Sequence, residues 1–261
     1  MALMPPLVTV MIKAAEAASR SLARDFGEAE QLQVSKKGPS DFVTAADQKA
    51  EKTLHYALGK ARPDYSFLME ESGKIEGKDP SRMFIVDPLD GTNNFLHGVP
   101  HWAINIAAVE NGEVMAGVTY DVVRHEIFWA AKGVGAFLGN RRLRVSSRDN
   151  LEMALVLHNA PSKGRGDFTR YAKDMERVTA EVSATRISGS SALDLAYVAA
   201  GRAEAFWVHD IKPWDVAPGI ILLREAGGHV VEMGGGKDPL YGGSVLASNA
   251  ALYQDMRKLL A

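Results

Sequence analysis

Two aspartates, Asp87 and Asp90, stand three residues apart in the hexapeptide DPLDGT at positions 87–92. The apolar run at 83–86 before them predicts a buried strand that ends at Asp87-Pro88. No lysine or arginine separates the two carboxylates, so they repel each other unless a metal ion or a proton intervenes. Their oxygens suit hard cations such as Mg²⁺, Mn²⁺ and Ca²⁺. The pattern indicates a cation site at a strand end, and the alternative is an ordinary turn, since Asp, Pro and Gly favour turns.

The two residues that follow favour an anion beside that cation. Gly91 allows the backbone to turn tightly, and Thr92 could cap a helix that starts there. Backbone N–H groups at a helix start can face an anion. The same short segment therefore offers carboxylates that can bind a cation and N–H groups that can bind an anion.

Two carboxylates earlier in the chain could reach this site, although each also has a simpler explanation. Glu70 follows a strand predicted at 65–69, and a glutamate in such a loop is usually just solvated. Asp47 lies three residues after Thr44. The two residues fit the N3 and N-cap positions of a helix predicted at 41–61, so capping alone would account for Asp47.

Asp215 begins a helix predicted at 214–226, with Pro218 expected in the first turn. Asp215 could be only a favourable charge at the positive end of the helix dipole. The functional interpretation is a third carboxylate that the second half of the chain delivers to the same site.

The segment Gly189-Ser190-Ser191 precedes another apolar helix, predicted at 190–200. Its N–H groups and hydroxyls could hold a phosphate or a sugar hydroxyl, and hydroxyl capping explains them about as well. Lys36 falls in a segment, 34–40, whose Gly and Pro predict a polar loop. Taken alone, Lys36 would be a surface charge.

The elements that must position these groups differ between the two halves of the chain. The first half predicts helices at 5–26 and 41–61 over an antiparallel meander with a hairpin turn at Asn111-Gly112, which together indicate an α+β lobe. Strands are expected there at 103–109, 113–120, 126–131, 133–137 and 143–145. The second half alternates in the α/β manner, with strands at 155–158, 185–187, 204–208, 230–232 and 244–247 and helices at 167–182, 190–200, 214–226 and 249–260. We therefore expect an α+β lobe over residues 1–148 and an α/β lobe over 149–261.

Composition excludes several classes of function. The chain has 261 residues, of which 46% are hydrophobic, and a formal net charge of -2. This near balance of charge makes nucleic acid an unlikely partner. There are no cysteines, which excludes disulfides and thiolate chemistry. No apolar run approaches the length of a membrane span, and the N-terminus lacks the features of a signal peptide, so we expect a soluble cytoplasmic protein.

Taken together, these motifs resemble the inositol monophosphatase family of metal-dependent, lithium-sensitive phosphatases. The segment DPLDGT at 87–92 matches the first signature of the family, and WDVA at 214–217 matches the second. Residues 41–47 and 70–72 also match, in the expected order along nearly the whole chain. The resemblance implies a layered α-β-α-β-α sandwich of the inositol monophosphatase and fructose-bisphosphatase type, and usually a homodimer.

Carried over residue by residue, the resemblance also implies roles. Thr92 and Glu70 would orient an attacking water, Asp47 would support them, and Lys36 would lie in a loop that closes over the site. Mg²⁺ would be held by Glu70, Asp87, the Leu89 carbonyl, Asp90 and Asp215. Substrate would meet Asp90, Gly91, Thr92, Gly189, Ser190, Ser191 and Asp215.

Substrate identity is less constrained than the chemistry. Many family members place a glutamate that binds an inositol hydroxyl seven residues before the second-signature aspartate, where this chain has Val208. The resemblance favours hydrolysis of myo-inositol 1-phosphate or a related sugar phosphate. Relatives also cleave fructose 1,6-bisphosphate, histidinol phosphate, NADP or 3′-phosphoadenosine 5′-phosphate, and some bacterial relatives act on transcription machinery. These alternatives remain open from sequence alone.

Overall fold

The computed structural model describes residues 4–28, 34–38, 41–161 and 166–261, with the backbone alone at 34–38 and 41–44. The helices are α1 (Pro6–Phe26), α2 (Ala45–Ala61), α3 (Thr92–Leu96), α4 (Phe168–Glu181), α5 (Ser191–Ala199), α6 (Pro213–Ala226) and α7 (Tyr253–Leu259). The strands are β1 (Val34–Gly38), β2 (Asp41–Thr44), β3 (Tyr65–Met69), β4 (Gly73–Ile75), β5 (Asp79–Asp90), β6 (Ala103–Glu110), β7 (Glu113–Asp121), β8 (Glu126–Ala131), β9 (Gly135–Leu138), β10 (Arg141–Arg142), β11 (Leu155–His158), β12 (Ala184–Arg186), β13 (Ala205–His209), β14 (His229–Val231) and β15 (Ser244–Ser248). Among these helices, none combines the length and the apolarity that crossing a membrane requires.

The first large sheet has eight strands in the order β10-β9-β8-β7-β6-β5-β3-β4. Strands β5 to β10 form the expected antiparallel meander, and β3 runs parallel to β5. Asn111 and Gly112 have φ values of 51° and 79°, the left-handed pair that a tight hairpin turn requires. Parallel β3 and β5 point the same way, so both strands deliver their C-terminal residues to one edge.

Two helical layers cover this sheet. Residues such as Phe84 and Ile104 on one face pack against Met11 of α1 and Leu54 of α2 in one apolar cluster. On the other face, Ile85 and other residues of the sheet join a second cluster with α5 and α6. Strict alternation along the strands sends neighbouring residues to opposite faces, which is why a continuous apolar run is needed here.

The second sheet has five strands in the order β12-β11-β13-β15-β14. Phe206 and Val245 face α5 and α6, whereas Trp207 and Leu246 face α4 and α7. The layers are therefore α1/α2, first sheet, α5/α6, second sheet and α4/α7. This arrangement confirms the α-β-α-β-α sandwich expected from the sequence.

Helix α6 lies unusually close to the first sheet. A Cβ atom added to Gly117 of β7 would come within 2.7 Å of the Cα of Pro218. No other residue type at 117 would allow this approach without movement of the helix. The position of α6 matters because Asp215 is in its first turn.

Several local predictions were wrong at particular residues. The predicted loop at 34–40 contains β1, which pairs antiparallel with β2, and α2 begins at Ala45 instead of residue 41. Pairing between the two short strands overrides their weak local signals. Residues 39 and 40 of that loop lie outside the described residues.

Further corrections concern the ends of elements. Residues 143–145 do not form a strand, because the chain leaves the sheet edge after β10 and Val145 donates its N–H to the Ala226 carbonyl at 3.2 Å. Helix α7 begins at Tyr253, after a turn in which the Asn249 side chain accepts the Leu252 N–H at 2.9 Å. Pro218 is the sixth residue of α6, so it lies inside the helix and not in its first turn.

Candidate metal centre

Strand β5 does not end at Asp87, as the sequence had suggested, but continues to Asp90 through a β-bulge. Asp87 pairs with Asn105 and Asp90 pairs with Ala103, so three steps along β5 match two steps along β6. In a regular strand, residues three apart would point to opposite faces, and the extra residue of the bulge removes that separation. The Asp87 carboxylate also accepts the Leu89 N–H at 2.8 Å, which fixes the bend.

Asp215 reaches this place from the other half of the chain. It is the third residue of α6, and its carboxylate accepts the N–H of Lys212, the residue before the helix, at 3.1 Å. One oxygen from each of Asp87, Asp90 and Asp215 lies within 4.8 Å of the other two. Oxygens on opposite sides of a single Mg²⁺ ion are about 4.2 Å apart, so a small contraction would let all three contact one ion. The donor set therefore fits a hard divalent cation.

Burial and mutual repulsion act on these carboxylates together. Burial raises the pKa of Asp87 well above its ordinary value, and the charges of Glu70, Asp90 and Asp215 raise it further. Burial also raises the pKa of Asp90 to about 6, although hydrogen bonds from Ser190 and from the Ala192 and Ser191 backbone oppose the shift. A cation in this position would relieve both penalties at once.

Glu70 lies beside Asp87 because β3 and β5 are parallel and in register. Met69 pairs with Val86, and the Glu70 N–H donates to the Val86 carbonyl at 3.2 Å. A hydrogen bond between the side chains of Glu70 and Asp87 contributes to the raised pKa of Asp87. Glu70 thus joins the carboxylate group that the sequence predicted.

The Thr92 hydroxyl lies between the Leu89 carbonyl and the Asp47 carboxylate. It is 3.1 Å from the Leu89 carbonyl and 3.3 Å from the Asp47 carboxylate, which is fully buried. Thr92 is the first residue of α3, and the N-cap position belongs to Gly91, so the expected capping by Thr92 was wrong. Gly91 has a φ of 97°, and a Cβ there would come within 3.1 Å of the His101 carbonyl. Both features require glycine.

The segment at 189–191 closes the site from the second half. Ser190 caps α5, and its hydroxyl and the Ala192 N–H donate to the same Asp90 oxygen, the latter at 2.9 Å. A cavity of about 290 Å³ opens next to these groups. Its lining includes Asn93, Asn159, Gly189, Ser191, Val208 and Asp215.

Comparison with known proteins gives a family for this arrangement. A model of the inositol monophosphatase family matches residues 4–261. The chain belongs to the inositol monophosphatase family. The inositol-1-monophosphatase of Mesorhizobium japonicum is 49% identical over 252 residues, covering 97% of this chain and 95% of the relative.

Two other relatives carry different names. The Nus factor SuhB of Escherichia coli K12 is 37% identical over 253 residues, covering 97% of this chain and 95% of the relative. The crystal structure of the extragenic suppressor protein suhB from Bartonella henselae matches with a TM-score of 0.95 and 46% identity, covering 98% of both chains. These comparisons confirm the family and the fold that the sequence motifs implied.

Among the residues predicted for the site, the family fold gathers most of them. Asp87, Asp90 and Asp215 come together, Glu70, Asp47 and Thr92 adjoin them, and Gly189 and Ser191 line the cavity. The backbone of Lys36 lies in β1, opposite Phe42. The role of each residue stays a prediction.

Val208, where the resemblance implied a glutamate, is almost completely buried and belongs to the apolar cluster between the two sheets. The neighbouring His209 is hydrogen-bonded through Nε2 to Asp174 at 2.8 Å. His209 and Asp210 both line the cavity, and Asp210 has a φ of 59°. Because Asp174 already engages the His209 ring, Asp210 is the better placed of the two to meet a substrate hydroxyl in place of a glutamate.

Sequence reasoning missed several residues that hold this family's site together. Glu51 of α2 is buried and accepts the Glu71 N–H at 2.8 Å and the Ser72 hydroxyl, which fixes the turn that carries Glu70. Its position one helical turn after Asp47 was an available signal. Asn94 donates to the His101 carbonyl at 2.7 Å and the Ser188 carbonyl at 2.9 Å, and no local pattern marks such a long-range contact.

Proposed function

We propose that this protein is a Mg²⁺-dependent, lithium-sensitive phosphomonoesterase that hydrolyses myo-inositol 1-phosphate or a related sugar phosphate. The observation that carries the proposal is the convergence of Asp87, Asp90 and Asp215, from both halves of the chain, to within 4.8 Å. Three acidic groups beside a small polar cavity suit a phosphate monoester whose negative charge needs cationic support.

We assign the metal ligands to Glu70, Asp87, the Leu89 carbonyl, Asp90 and Asp215. Mg²⁺ bound there would supply positive charge and Lewis acidity for phosphoryl transfer. The protein itself supplies the oxygen atoms and the buried setting. Burial strengthens each electrostatic contact that the ligands make.

Thr92, Asp47 and Glu70 would prepare the attacking water. When the Thr92 hydroxyl donates its hydrogen bond to the Asp47 carboxylate, 3.3 Å away, the Thr92 oxygen is free to accept a hydrogen bond from that water. The Glu70 carboxylate accepts the proton that the water loses. As the new P–O bond forms, the ester P–O bond breaks on the opposite side. The departing oxygen takes up one proton from solvent water and Glu70 releases its proton to solvent, so the products are an alcohol and inorganic phosphate.

The substrate would be oriented by both halves of the chain. The Gly91 and Thr92 backbone contacts the phosphate, Asp90 accepts a substrate hydroxyl, and the segment at 189–191 lines the pocket. Ser190 and Ser191 are poor nucleophiles, because the Ser190 hydroxyl bonds Asp90 and the Ser191 hydroxyl accepts from Asn159 at 2.9 Å. Direct attack by water therefore fits better than a phosphoserine intermediate.

The proposal also covers the role of Lys36, the assembly and location of the protein, and its division into lobes. Lys36 would strengthen closure over the site, so Lys36→Gln should lower activity less than loss of a metal ligand. The protein would act as a homodimer in the cytoplasm. Residues 1–148 and 149–261 would form two lobes that each contribute ligands.

A phosphate-release screen tests the activity. We expect Mg²⁺-dependent turnover that Li⁺ inhibits, with inositol and other sugar monophosphates preferred over fructose 1,6-bisphosphate, histidinol phosphate, NADP and 3′-phosphoadenosine 5′-phosphate. The polar side chains that line the cavity, among them Asn93, Asn159 and Asp210, suit a polyhydroxylated alcohol. Preference for a nucleotide would reject the inositol assignment, and absence of Mg²⁺-dependent turnover on all of them would reject the phosphatase.

A second candidate is a regulatory role in transcription, favoured by the name Nus factor that the Escherichia coli relative carries. The net charge of -2 gives no support for direct RNA binding. Co-purification of RNA polymerase subunits from cells, retained in an Asp87→Asn variant, would support this role. Its absence would leave the phosphatase as the better account.

A further inference from the structure

Asn105 lies under the start of α6 without being any of the predicted ligands. It is fully buried in β6, and its side-chain Nδ2 donates to the Trp214 carbonyl at 2.7 Å and to the Asp215 carbonyl at 3.2 Å. Its Oδ1 accepts the hydroxyl of buried Thr119 at 2.6 Å, which fixes the orientation of the amide. An amide with both ends engaged in this way is held in one position.

Pro218 explains why such a donor is needed. In a regular helix the carbonyl of residue 214 accepts the N–H of residue 218. Proline has no N–H, so Pro218 inside α6 leaves the Trp214 carbonyl without that donor. The Asn105 amide, at 2.7 Å, takes its place from the neighbouring sheet.

The Asn105 amide lies next to two of the proposed metal ligands, Asp87 in the neighbouring strand and Asp215 in the helix above. Asp87, Asn105 and Thr119 are direct cross-strand partners on β5, β6 and β7, so their side chains share the face under α6. The close approach of Pro218 to Gly117 of β7 brings the helix down onto that row. One contact therefore joins the backbone of Asp215 to the strand pair that carries Asp87.

We propose that Asn105 is a positioning residue that sets the distance between Asp215 and Asp87. We propose further that Pro218 makes this contact necessary, because proline leaves the Trp214 carbonyl without its helical donor. The inference rests on the proposed function in one respect, because it assumes that these carboxylates bind a divalent ion. Outer groups that orient metal ligands typically affect affinity by about 10- to 100-fold. Asn105 acts in this way through the backbone that bears the ligand.

The test measures Mn²⁺ affinity by electron paramagnetic resonance, which requires no substrate. Asn105→Ala should weaken Mn²⁺ binding about tenfold, because the first turn of α6 loses its anchor. Pro218→Ala should change it little. The double variant Asn105→Ala/Pro218→Ala should bind nearly as well as Pro218→Ala, because the N–H of residue 218 now reaches the Trp214 carbonyl. This rescue separates positioning from a general loss of packing.

Asn249→Ala is the matched control. Asn249 is also fully buried, donates to the Arg148 carbonyl at 2.8 Å and accepts from Leu252 at 2.9 Å, and both of these partners lie outside α6. It should lower the melting temperature and leave Mn²⁺ affinity unchanged. Equal Mn²⁺ affinity in wild type and Asn105→Ala, or a double variant as weak as Asn105→Ala, would overturn the inference.

Two further outcomes are distinguishable. If Asn105→Ala does not fold, Thr119→Val replaces it. This variant should lose less Mn²⁺ affinity, because the Asn105 amide remains but is no longer held in one orientation. An unchanged Mn²⁺ affinity in Thr119→Val would overturn the inference. Wild-type Mn²⁺ binding that Asp87→Asn abolishes, together with no effect at Asn105, rejects the positioning role alone. Wild-type protein that binds no Mn²⁺ rejects both this role and the proposed function.

Discussion

At Asp87, burial and the charges of neighbouring carboxylates both disfavour ionisation. The side chain is 1% exposed, and Glu70, Asp90 and Asp215 surround it. Such a group weakens the folded state whenever it is charged and no cation is bound. The site is therefore arranged for ligand binding at the expense of stability.

Replacing Asp87 by asparagine should separate the effect of this residue on stability from its effect on metal binding. Asp87→Asn removes one buried charge, so we expect a higher melting temperature without metal and loss of Mg²⁺-dependent turnover. Asp255→Asn, which changes an exposed aspartate of α7, is the control and should alter neither property. Turnover near that of wild type in Asp87→Asn would count heavily against the metal site.

The pH dependence of metal binding follows from the direction of the pKa shifts. The pKa of Asp90 rises from 3.8 to about 6 on folding, so folding takes up a proton between these values. Without metal, this group lowers stability as the pH rises through that window. The buried His158, with its pKa lowered from 6.5 to about 4, has the opposite effect, because folding releases its proton over a similar window.

Comparing melting temperatures with and without Mg²⁺ at each pH cancels the contribution of His158. The increase caused by Mg²⁺ should be larger at about pH 8 than at about pH 5, because protons compete for the same carboxylates at low pH. Differential scanning fluorimetry measures this directly. An equal increase at both values would mean that the carboxylates are not the ligands.

Among the elements, α6 connects the second half of the chain to the site, since it carries Asp215 and packs between both sheets. Its distance from the first sheet depends on Gly117, where an added Cβ would meet Pro218 at 2.7 Å and Ile221 at 2.8 Å. The first of these atoms belongs to backbone, so it cannot move alone. Any side chain at 117 must displace the helix.

Gly117→Ala should therefore lower the melting temperature and weaken Mn²⁺ binding together. Overpacking of this kind typically costs about 1–3 kcal/mol. Gly59→Ala is the matched control, since Gly59 lies in α2 and its added Cβ would meet nothing nearer than 3.9 Å. That variant should be neutral or stabilising, because alanine favours the helix. Unchanged Mn²⁺ binding in Gly117→Ala would show that the distance of α6 from the first sheet does not control metal affinity.

Over the whole molecule, the two predicted lobes share one core. Residues of the first sheet such as Ile85 belong to the same apolar cluster as Ile220 of α6 and Phe206 of the second sheet. Asn94 also connects the halves through its bonds to His101 and Ser188. Neither half buries its apolar surface fully without the other.

We expect a single cooperative unfolding transition for this reason. Differential scanning calorimetry should give equal calorimetric and van 't Hoff enthalpies if the halves unfold together. Mg²⁺ should raise the temperature of the whole transition, because its proposed ligands come from both halves. Two separate transitions, with only one shifted by Mg²⁺, would mean that the lobes are independent.

Residue types and their order alone were enough to identify the family. The carboxylates at 87, 90 and 215 and the turn glycine at 91 are local signals that carry the resemblance to the family, and the layer order was expected from that resemblance. The periodicity of the main helices and strands predicted the elements themselves. Long-range pairing decided the rest. The bulge that carries Asp87 and Asp90 depends on β6, and the hairpin of β1 and β2 depends on a partner strand.

Tertiary structure also decided which polar residues support the site. Asn105 and Pro218 are 113 positions apart in the sequence, and each is unremarkable within its own segment. Their relation appears only when the sheet and α6 meet, because a missing helical N–H is then replaced by a side chain from another element. The sequence alone specifies which groups can do the chemistry, whereas the contacts that fix their distances form only on folding.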